Sequence, residues 1–70
     1  MEHSITIVVN GLAETVPEKF SLAQLIVHLK EGDGDLIVEH NGRFVYPRHY
    51  LTTLLAGGDR VELINPNFGG

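Results

Sequence analysis

A chain of 70 residues, 43% hydrophobic and 20% charged, has apolar material for one small core, since a domain of this size buries only about 60% of the surface that its unfolded chain exposes. The lack of cysteine removes disulfides, thiol nucleophiles and thiolate metal sites and suits the cytoplasm. A net charge of −4, with Lys19, Lys30, Arg43, Arg48 and Arg60 scattered along the chain, argues against nucleic acid as a partner. No apolar run approaches the roughly 20 residues that span a bilayer, so no membrane role is expected. The polar start Met1-Glu2-His3-Ser4 lacks the layout of an export signal, which also favours the cytoplasm.

Ser4 to Val9 is rich in β-branched residues and places Ile5, Ile7 and Val9 on one face of a strand. Asn10-Gly11 tolerates positive φ at both positions, so a two-residue turn folds Leu12 to Val16 back as an antiparallel partner. Leu12, Ala13, Glu14, Thr15 and Val16 do not alternate cleanly, and the register of that strand stays open. Ser21 followed by Gln24 forms a capping box, with Phe20 and Leu25 as its apolar staple. Leu22, Leu25, Ile26 and Leu29 then repeat at i, i+3, i+4 and i+7, which predicts a helix with one stripe on the sheet. Lys30 complements the helix dipole, and Gly32 and Gly34 offer the exit.

Leu36 to His40 reads as a third strand, Asn41-Gly42 as a second tight turn, and Arg43 to Tyr46 as a short fourth strand ended by Pro47. Leu51, Leu54 and Leu55 have helical spacing and predict a brief helical turn before Ala56-Gly57-Gly58-Asp59 redirects the chain. Arg60 to Ile64 is the last strand. With Val61 and Leu63 inward, Glu62 and Ile64 face outward, and Ile64 becomes a candidate docking contact beside the tail. The order ββαββ, short helix, β makes an α+β domain over residues 1–65, one sheet against one main helix, followed by a flexible tail over 66–70.

The run Val38-Glu39-His40-Asn41-Gly42-Arg43-Phe44-Val45-Tyr46-Pro47-Arg48, the run Gly58-Asp59-Arg60-Val61-Glu62-Leu63-Ile64 and the terminal Gly69-Gly70 together resemble the ThiS/MoaD-type sulfur carriers, nearer ThiS. The resemblance covers nearly the whole chain. It implies a ubiquitin-like β-grasp, with a mixed sheet of about five strands in which the first and last lie side by side. Two features depart from the ThiS pattern: Tyr46 is an extra residue before Pro47-Arg48, and Asn65-Pro66-Asn67-Phe68 replaces an aliphatic approach.

For function, the resemblance implies a protein cosubstrate rather than an enzyme. An adenylating enzyme of the ThiF/MoeB kind, using ATP and Mg²⁺ that this chain does not itself bind, would activate the Gly70 carboxylate. A sulfur donor would then convert it to a thiocarboxylate. In the ThiS branch the acceptor is a thiazole synthase (ThiG-like) building the thiazole of thiamine. Gly69 gives clearance in a narrow channel, because it lacks a side chain, while Phe68 and Pro66 are candidates for positioning the tail on a partner. Three alternatives share the architecture: a MoaD-like carrier serving a molybdopterin synthase large subunit (MoaE-like), a ubiquitin-like modifier, and a noncatalytic TGS-like interaction module. A monomer is the expected free state.

Elsewhere the residues read as structure. His3, His28, His40 and His49 lack metal-ligand spacing, and Gly57-Gly58 is not followed by the Lys and Ser/Thr of a phosphate loop. Tyr46 and Tyr50 read as packing residues, Glu39 and Arg48 as surface charges, and no nucleophile, base and orienting group suggest a triad.

Overall fold

A computed structural model of the chain describes residues 3–30 and 35–66. Strands β1 (Ser4–Val9) and β2 (Leu12–Pro17) form the first hairpin, α1 (Leu22–His28) follows, and β3 (Ile37–His40) and β4 (Arg43–Val45) form the second hairpin. A 3-10 helix (Pro47–His49) leads to β5 (Arg60–Ile64). The sheet order is β2-β1-β5-β3-β4, with β1 and β5 parallel and the other neighbours antiparallel. The first and last strands thus lie side by side within a mixed sheet, the ubiquitin-like β-grasp arrangement that the resemblance implied. Among the described residues, no helix is long and apolar enough to cross a membrane.

Both Asn-Gly pairs make the expected turns: φ is 50° and 84° at Asn10 and Gly11, and 52° and 83° at Asn41 and Gly42. Positive φ at both central residues twists a turn in the same sense as its strands, which keeps a two-residue hairpin in register. The open register of the second strand resolves as Val9 opposite Leu12 and Ile5 opposite Val16. Val16 is buried there, whereas Leu12 on the same face is 69% exposed because β2 is an edge strand.

The capping box is present: Ser21 Oγ accepts from the Gln24 N–H at 3.1 Å, and Gln24 Oε1 accepts from the Ser21 N–H at 2.9 Å. The next two unpaired donors of the helix are met by a neighbouring loop, with Leu22 N–H donating to Thr53 O at 2.9 Å and Ala23 N–H to Tyr50 O at 3.0 Å. These bonds account for one correction. The helical turn expected across Leu51, Leu54 and Leu55 lies earlier, at Pro47–His49. The carbonyls of Tyr50 and Thr53 cap α1 instead of continuing a helix, and Leu54 bridges to Ser21. Leu55 turns inward, while Leu51 and Leu54 are exposed.

A second correction concerns the end of α1. The left-handed residue is Lys30, at φ 61°, with its N–H on Val27 O at 3.0 Å. The chain therefore leaves the helix before Gly32 and Gly34, which lie outside the described residues. The apolar stripe is placed as its spacing required: Leu22, Leu25 and Ile26 are buried and Leu29 packs at the margin. They meet Ile7, Val9, Val16, Val38, Val61 and Leu63 from the sheet and close the core together with Leu36 and Leu55.

Candidate functional site

β5 carries the chain from the centre of the sheet to its last described residues, Asn65 and Pro66. Val61 and Leu63 point into the core, and Glu62 and Ile64 point away from it, as alternation demands. Ile64 is 42% exposed and sits opposite Ile37 of β3. Pro66 is exposed. Phe68, Gly69 and Gly70 lie outside the described residues.

The face around Ile64 is partly apolar. Phe44 of β4 stands opposite Glu39, which in turn stands opposite Glu62. Phe44 meets Tyr46 edge to face with ring centroids 4.7 Å apart, and the Arg48 guanidinium lies 4.5 Å from the centre of the Tyr46 ring. Glu39 and Arg48 are thus on one side of the sheet with an aromatic pair beside them, and Arg48 is engaged by Tyr46. Directly opposed like charges such as Glu39 and Glu62 cost stability across strands. Tyr50 packs at the edge of the core, and burial pushes its hydroxyl up, away from proton transfer at neutral pH.

Two asparagines that sequence reasoning assigned only to turns grip β5 at its two ends. The Asn10 carboxamide accepts from the Leu63 N–H at 2.8 Å and donates to Leu63 O at 3.3 Å. At the other end, Asn41 Oδ1 accepts from the Arg60 N–H at 2.8 Å, and Asn41 N–H donates to Arg60 O at 2.8 Å. Asp59 closes the second cluster: its carboxylate lies 2.7 Å from His40 Nε2 and accepts from Asn41 Nδ2 at 3.2 Å and from the Ala56 N–H at 2.8 Å. The only local signal for these contacts was the choice of Asn over Gly or Asp at the first turn position. The contacted residues are far away in sequence.

Among the described residues, no group of three or more His, Asp or Glu is placed to hold a metal. What the site offers is a strand end, held on both flanks, from which a backbone segment departs beside the exposed Ile64 and its half-buried partner Ile37.

No curated protein matches this chain. Among solved structures, it is similar to the thiamine biosynthesis protein (ThiS) from Geobacter metallireducens, at 29% identity and a TM-score of 0.82 over 94% of this chain and all of that one. The model of the ThiS family matches residues 4–70, from the first residue of β1 through the diglycine. With a match of that extent and the same β-grasp topology, the chain belongs to the ThiS family.

Proposed function

We propose that this chain, a small sulfur carrier, is charged at Gly70 by an adenylating enzyme of the ThiF/MoeB kind and delivers sulfur for assembly of the thiamine thiazole. The observation that carries the reading is the extent of the family match: it runs to residue 70, six residues past the end of β5 at Ile64, so the segment beyond the folded sheet belongs to the shared pattern.

The chemistry follows from a backbone carboxylate. With an ordinary pKa of about 3.3–3.7 it is an anion at neutral pH and a poor electrophile. Its oxygen attacks the α-phosphorus of ATP, pyrophosphate departs, and the acyl-adenylate has AMP as leaving group. Hydrosulfide supplied by the donor then attacks the acyl carbon, AMP departs, and loss of the sulfur-bound proton to solvent leaves a thiocarboxylate. ATP and Mg²⁺ belong to the partner's site. Residues 65–70 extend at most about 20 Å, enough to enter a partner while the sheet stays outside. Gly69 leaves room for close backbone approach. Pro66 and Phe68 position the tail, and Ile64 with Ile37 supplies an apolar contact where the tail departs. A basic group on the partner would relieve the opposition of Glu39 and Glu62.

The test is intact mass after incubation with ATP, Mg²⁺, a ThiF-type enzyme and a sulfur donor. A gain of about 16 Da, oxygen replaced by sulfur, is expected for the full chain and not for one lacking Gly70, which keeps its fold because the last strand ends six residues earlier, at Ile64. Ile64→Glu should retain the fold and slow the reaction. Full activation of the truncated chain overturns the reading; conjugates with cellular lysines would indicate a modifier instead.

A further inference from the structure

We propose that Asn10 is a positioning residue whose carboxamide stands in for the missing end of β1 and sets the direction in which the tail leaves β5. The proposal rests on the tail reading above. In the parallel pair, Val8 N–H donates to Asp59 O and Asn10 N–H to Val61 O, each at 2.9 Å. Continued by one more rung, β1 would supply an acceptor for the Leu63 N–H and a donor for Leu63 O. The backbone cannot do so, because Asn10, at φ 50°, has already turned into the hairpin. Its side chain supplies both groups instead, at 2.8 and 3.3 Å.

No other residue type fits this position equally well. Glycine tolerates the φ but offers neither group, aspartate can only accept when ionised, and glutamine is one methylene longer. On the opposite flank, β3 holds Ile64 through Ile37. With Asn10 in place, β5 is held as far as Leu63 on the β1 side and as far as Ile64 on the β3 side. Without it, Leu63 loses its partner on the β1 side.

The structure contains its own control. Asn41 has a similar positive φ of 52° and binds Arg60, at the other end of the same strand. Asn10→Gly and Asn41→Gly each keep the turn conformation and remove one clamp. The full chain and both variants should be compared at a temperature at which circular dichroism shows all three folded, by ATP–pyrophosphate exchange with a ThiF-type enzyme and by amide NMR. For Asn10→Gly, kcat should fall about tenfold or more while KM for the carrier stays within about twofold, because misplacement of the reacting group costs rate. Asn41→Gly should keep kcat near that of the parent chain. Asn10→Asp retains the acceptor and should keep the Leu63 amide protected and recover part of the rate. Order parameters at Ile64 and Asn65 should drop in Asn10→Gly alone. Unchanged order parameters there, equal losses of kcat in both glycine variants, or a normal kcat in Asn10→Gly would each overturn the proposal. Failure of the parent chain to be activated would count against the carrier mechanism, and the NMR arm would still decide the role of Asn10.

Discussion

The imidazole Nε2 of His40 and the carboxylate Oδ2 of Asp59 lie 2.7 Å apart, joining the last residue of β3 to the turn that opens β5. An ionised carboxylate only accepts, so Nε2 carries the hydrogen. Burial pulls the Asp59 carboxyl upward, but the hydrogen bonds from His40, the Ala56 N–H and Asn41, together with the charge on His40, outweigh it and hold the group below its ordinary value.

That direction fixes the sign of a pH effect. A carboxyl whose pKa is lower folded than unfolded adds stability above the unfolded value of about 3.9, and that contribution is lost as pH falls through the lowered folded value. Urea midpoints measured from pH 6 to pH 2 should decline in the parent chain and decline less steeply in Asp59→Asn, which should also be less stable at neutral pH. Parallel slopes would mean that the carboxylate gains nothing from its neighbours.

Leu25 is completely buried at the centre of the helix stripe. Leu25→Ala removes apolar contact and leaves a cavity, a change that costs about 2–5 kcal/mol in well-packed cores. In so small a domain this should move the denaturant midpoint far enough to leave much of the population unfolded at ambient temperature. A midpoint within error of the parent would show that the stripe does not pack as described.

Lys30 holds a left-handed backbone conformation that costs an L-residue roughly 1–2 kcal/mol. Lys30→Gly removes that strain, loses the favourable charge at the helix end and adds freedom to the unfolded chain. The balance should be a gain of up to about 1 kcal/mol in thermal or urea unfolding, whereas Lys30→Val should destabilise, since a β-branched residue resists positive φ. A loss in the glycine variant would place the strain elsewhere.

Much of this protein was legible in its residues because the relevant forces act over a few positions. The two Asn-Gly pairs specified two hairpin turns through their tolerance of positive φ, Ser21 with Gln24 specified a helix start, and Leu22, Leu25 and Ile26 specified which helix face would be buried. Alternation in Val61, Glu62, Leu63 and Ile64 was enough to turn Ile64 outward. The short helix was misplaced because the spacing of Leu51, Leu54 and Leu55 is a local pattern. The carbonyls beside them are engaged by N–H groups of Leu22 and Ala23, some thirty residues earlier.

The residues themselves determined the strands, the main helix and their order, since propensity, capping and turn chemistry are short-range. Tertiary structure alone decided that Asn10 would hold Leu63 across 53 positions, that Asn41 would hold Arg60, and that His40 would meet Asp59. A carboxamide in a turn carries a donor and an acceptor whatever surrounds it. Which backbone it satisfies is set by the strand that the long crossover lays beside it, and that pairing depends on burying the whole core at once.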